Sequence, residues 1–165
     1  MNLAGILLCS FLSAWTLQAN PPQAVPDLSN AKLVLQARGE GVQIYTCAHN
    51  NDTWAWKLKA PEATLLDEQH HPIGKHFAGP KWHLDDGSEV QGKLIASVPQ
   101  AGTIPWLTLS AVSTGGEGRL ASVNFVRRTD TEGGLAPATG CDAQHADAEV
   151  RVPYSAAYSF YTAKQ

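Results

Sequence analysis

Gly74-Lys75-His76-Phe77-Ala78-Gly79-Pro80-Lys81-Trp82-His83-Leu84-Asp85-Asp86-Gly87-Ser88-Glu89-Val90 carries two pieces of backbone punctuation, Gly79-Pro80 and Asp86-Gly87-Ser88, only a few residues apart. The run between them is short and reads as a strand. The spacing predicts a strand, a corner, a second strand and a turn over residues 74–92. Pro80 has no backbone donor, so the corner falls outside any sheet ladder. Gly79 and Gly87 supply conformations that a β-carbon resists. On this reading the bend holds His76 and Trp82 on opposite sides.

The same grammar extends in both directions. Upstream, residues 32–38 alternate, Gly39 and Gly41 suggest a turn or bulge, and residues 42–47 (VQIYTC) alternate again with β-branched and aromatic side chains. Trp54, Trp56 and Leu58 share a face, which suggests core. Pro61-Glu62 restarts the chain before a short strand at residues 64–67. Downstream, Leu94, Ala96 and Val98 align, as do Leu107, Leu109 and Ala111, then Ala121, Val123 and Phe125, and finally Tyr154, Ala156, Tyr158 and Phe160. About ten segments of period two emerge, with no helix and no solenoid repeat. The expected fold is a single all-β domain, a β-sandwich or partly closed β-barrel with one disulfide.

The chain has 165 residues and a formal net charge of −3. That balance argues against nucleic acid as a partner. Residues 3–17 are largely apolar but short and interrupted by Ser10, Ser13 and Thr16, and Ala19 suits a cleavage site; residues 1–19 read as a secretory signal peptide. Residues 20–30, with Pro21, Pro22 and Pro26, read as a leader, and residues 31–165 as the domain. No stable membrane insertion is expected after cleavage, and the location is secreted or periplasmic. What remains is long enough to bury roughly 70% of its unfolded surface. Cys9 departs with the signal. Cys47 and Cys141 then read as one disulfide, the alternative being two buried thiols.

Four histidines, His70, His71, His76 and His83, lie near Asp85, Asp86 and Glu89. If residues 73–77 and 81–84 pair across Gly79-Pro80, His76 and His83 could approach each other, but no metal-ligand spacing is present, and metal and cofactor stay unknown. Gly116-Glu117-Gly118-Arg119-Leu120-Ala121 fits the letters of a dinucleotide fingerprint, but the run after it alternates as a strand, so it reads as a hairpin turn. No nucleophile elbow occurs. Of five tryptophans, Trp82, between Pro80 and Asp86, is expected to be partly exposed. Asn51-Asp52-Thr53 is a glycosylation sequon, meaningful only in a eukaryotic secretory pathway.

Several strings, among them residues 41–47 (GVQIYTC), His76-Phe77-Ala78-Gly79-Pro80, Trp82, Asp86-Gly87-Ser88, Ile104-Pro105-Trp106-Leu107, Gly140-Cys141 and Val152-Pro153-Tyr154, together resemble the DUF3455 family. The resemblance runs from Gly41 to the C-terminus and implies an exported domain of unknown function, bacterial or fungal. It places His76, Trp82, Asp86, Arg127 and Cys141 at motif positions. Some relatives carry the name malate dehydrogenase, which the rejected glycine motif does not support. Two functions follow as expectations. The first is a binding module for polysaccharide or cell-envelope material that uses Trp82, Trp106 and Arg127. The second is a small hydrolase or lyase in which His76 and Asp86 are catalytic, with or without a metal. An exported protein that holds no small ligand is the remaining option.

Overall fold

A computed structural model describes residues 26–163. The expected signal peptide and most of the expected leader lie outside these described residues. Eight antiparallel strands follow one another in chain order: β1 (Ala31–Asn50), β2 (Thr53–Leu66), β3 (Pro72–Phe77), β4 (Lys81–Leu84), β5 (Glu89–Gln100), β6 (Thr103–Gly115), β7 (Phe125–Gly133) and β8 (Glu149–Ala163). Each pairs with the next, and β8 returns to pair with β1, so the sheet closes in a ring. The ring is not a regular barrel. β3 and β4 are short, and bulges interrupt the registers of β1, β2, β5 and β7. No α-helix occurs among the described residues, and no helix there is long and apolar enough to cross a membrane.

Residues 32–47 form one continuous strand instead of two separated at Gly39 and Gly41. The glycines answer to close approach instead of a turn. A β-carbon on Gly39 would lie 2.5 Å from the Tyr158 ring. One on Gly41 would lie 2.1 Å from the Glu62 carbonyl oxygen and 2.5 Å from the Ala63 Cα. Both are distances that no β-carbon occupies, so glycine allows β1 to meet the neighbours it joins on either side. Pro61 likewise does not restart the chain. It lies inside β2, before the stretch Ala63–Leu66 that pairs with β3, so its missing donor interrupts no ladder on that side.

Alternation in β8 turns Tyr154, Ala156, Tyr158 and Phe160 inward, where they meet Leu65, Trp82, Leu84, Val90, Leu109 and Val126 in one core. Two loops close the ends. Residues 116–124 tuck Leu120 and Val123 under one end, so this segment is a turn and strand β7 begins only at Phe125. Residues 134–147 cover the other end. Tyr45 donates to the Gly134 carbonyl at 2.6 Å, and the Cys47–Cys141 disulfide, with its Cα atoms 5.3 Å apart, ties the loop to β1. The residues just before β1 are docked as well: Leu28 is buried, and Arg127 Nη2 donates to the Pro26 carbonyl at 3.0 Å.

Candidate functional site

The stretch with two turns folds as its spacing predicts, with Gly79 and Gly87 both at positive φ. Its side chains fall differently from expectation. Cross-strand register sets His76 opposite Trp82 and Lys75 opposite His83. His76 and Trp82 therefore share the inner face, and His83 points the other way. Their rings stack with centroids 4.5 Å apart and planes 9° from parallel, and Tyr158 and Phe160 enclose the pair. Trp82 is 1% exposed, so the expected partial exposure does not occur: the alternation of β4 turns its indole into the core.

His76 Nδ1 lies 2.9 Å from the Lys81 carbonyl oxygen; a carbonyl only accepts, so Nδ1 carries the proton. Burial lowers its pKa to about 4; the Lys81 carbonyl opposes this and Arg128 adds to it. The imidazole is thus neutral at neutral pH. Asp86 sits in the exposed turn. Its Oδ1 accepts from the Ser88 backbone and hydroxyl at 2.9 and 2.6 Å, and its Oδ2 from the Arg119 backbone and Nε at 3.1 and 3.3 Å. Partial burial raises its pKa, but these hydrogen bonds outweigh that and hold the carboxyl well below the usual range. Gly118 and Gly116 let their loop lie directly against this turn, because a β-carbon there would meet the Asp86 carboxylate or the Gly87 carbonyl oxygen. No hydrogen bond or ion pair among the described residues joins His76 to Asp86. Nor do any three His, Cys, Asp or Glu side chains converge there in a way that would hold a metal ion.

Trp54 and Trp56 also depart from expectation. They are half-buried, on the face that the β1–β2 register shares with Tyr45 and Cys47, and Leu58, in line with them, is 57% exposed. The end loop leans on this face, with Trp56 Nε1 donating to the Thr139 carbonyl at 2.9 Å.

The structure does bring Trp106 and Arg127 together. The β6–β7 ladder runs only from Leu107–Arg128 to Ser110–Phe125, and beyond Leu107 the strands part. Side chains bridge the gap: Arg128 Nε and Nη2 donate to the Pro105 carbonyl at 3.2 and 2.8 Å, and Thr131 Oγ1 to that of Ile104 at 2.8 Å. Across β5, β6 and β7 the register aligns Val98 with Trp106, and Ala96 with Thr108 and Arg127. These side chains, with Leu107, Arg128 and Thr129, line a groove of about 320 Å³. Trp106 is 37% exposed along it. Sequence reasoning missed Arg128 as a groove residue. The only available signal was the basic pair itself, whose two side chains do leave β7 on opposite faces. Arg128 acts inward as well, countering the burial that raises the pKa values of Tyr45, Tyr154 and Tyr158.

With this geometry in place, comparison with known proteins gives one result. A family model described as a protein of unknown function, DUF3455, matches residues 28–162, and the chain belongs to that family. Nothing matches it among curated proteins or among solved structures.

Proposed function

We propose that this DUF3455 chain is an exported binding module that holds one unit of a polysaccharide or cell-envelope glycan in the Trp106 groove. The observation that carries this reading is the half-exposed indole of Trp106, set beside Arg127 where β6 and β7 separate. An indole face stacks on the apolar C–H face of a pyranose, and guanidinium donors fix its oxygens. Mostly apolar walls with a few polar groups are usual for a small-ligand site, and the groove volume suits a single ring. His76 and Trp82 have a different part here: they fill the barrel beneath the site.

A glycan array with the wild-type domain and with Trp106→Ala tests the proposal. We expect retained glycans whose binding falls at least about tenfold in the variant. An array without a binder, or binding that survives Trp106→Ala, refutes it. The same reading takes residues 1–19 as an export signal, residues 20–30 as a leader and residues 31–165 as the secreted or periplasmic domain. The long-range disulfide is compatible with an oxidising compartment. N-terminal sequencing of exported protein should begin at Asn20, and a retained Met1 would refute cleavage.

A further inference from the structure

Five arginines occur in the chain. Three have carboxylate partners: Arg38 with Glu40 and Glu132, Arg119 with Asp86, and Arg151 with Glu62. Arg127 and Arg128 have none among the described residues, and residues 1–25 contain no Asp or Glu that might supply one. These two are neighbours, and both line the Trp106 groove. Their bonds to protein go to neutral carbonyls, Pro26 for Arg127 and Pro105 for Arg128. Each guanidinium has five N–H donors, so both retain donors beyond these contacts. Asp27 senses the charge of Arg127, but its oxygens accept from the Ser29 N–H and hydroxyl at 2.8 and 2.9 Å.

A groove-lining guanidinium that the protein leaves without a carboxylate partner gains a charge-assisted contact when an anion binds. We infer that the groove takes an acidic sugar, a uronate whose ring lies on Trp106 and whose carboxylate pairs with Arg127, the arginine on the same face of the sheet. Planar carboxylates match the guanidinium fork in two-point contact, which favours this class over a neutral sugar. The inference rests on the saccharide reading given above and names its substrate class.

Titration calorimetry with trigalacturonate, its methyl ester and dodecanoate, each in low and high salt, tests it. Trigalacturonate should bind, and binding should weaken with salt. Esterification, which keeps the ring and removes the charge, should weaken binding by about tenfold or more. Arg127→Gln should bring acid and ester close together, with an unchanged melting temperature as the folding control; the ester and salt arms on the wild type decide the matter even if that variant misfolds. Equal binding of acid and ester overturns the acidic-sugar inference and leaves the saccharide reading standing. Binding of dodecanoate alone, or of none of the three, overturns both.

Discussion

Lowering the pH from 7 toward 4 should destabilise this domain through His76. The ring is 3% exposed, stacked on Trp82 and held as the neutral Nδ1–H form by the Lys81 carbonyl. Its pKa falls from the ordinary 6.5 to about 4 in the folded protein. Between those values the unfolded chain binds a proton that the folded chain refuses, so stability drops as pH drops. Each pKa unit is about 1.4 kcal/mol, which gives a loss of about 3 kcal/mol across the window. That is a large share of the 5–15 kcal/mol typical of a domain. Asp27, Asp67, Glu89 and Asp142 have folded pKa values lowered by hydrogen bonds from nearby backbone or side chains, so their contribution is lost only as pH falls through and below the ordinary carboxylate range. The assay is urea unfolding at half-unit steps from pH 7 to 4, on wild type and on His76→Asn. The asparagine keeps a donor for Lys81 and cannot titrate. The difference in slope between the two proteins, not their absolute stability, isolates His76. Parallel curves between pH 6.5 and 4.5 would show that the imidazole protonates equally in both states and would refute the neutral buried ring.

Three further outcomes follow from the same structure. Gly41→Ala should destabilise by about 3 kcal/mol or be unable to close the ring, because its β-carbon would meet the β2 backbone; thermal melting checks this, and an unchanged melting temperature contradicts the close approach. A β-carbon at Gly87 would meet no atom within 4 Å, so Gly87→Val should act through the φ of +85°, at about 1–3 kcal/mol; an unaltered transition would show that the Asp86 turn is loose. Replacing Cys47 and Cys141 together by serine removes a link across 94 positions and should destabilise by about 4–5 kcal/mol on a chain-entropy argument. Denaturant titration of oxidised wild type against the double variant measures that difference.

The contrast between β8 and β2 shows how far local pattern carries. Tyr154, Ala156, Tyr158 and Phe160 alternate with smaller or polar residues, and all four lie inside. Trp54, Trp56 and Leu58 alternate as cleanly, and none of them joins that core. Period two states which side chains share a face, but nothing in it states which face another element will cover. The candidate site shows the same division. Trp106 and Arg127 were recognisable singly, yet their convergence depends on three strands coming into register and on two of them parting after Leu107.

By itself the sequence determined the strand-rich class, the turns at Gly79-Pro80 and Asp86-Gly87, the inward stripe of β8 and a cysteine pair suited to one disulfide. Each of these follows from backbone preferences or short-range alternation, which neighbouring residues set among themselves. Tertiary structure alone decided that the sheet closes through β1 and β8, that Gly39 and Gly41 make room for partners instead of turning the chain, and that His76 stacks on Trp82 inside the barrel. Those outcomes depend on which distant strand arrives and in which register, and a shift of one residue would reverse every side chain between core and solvent.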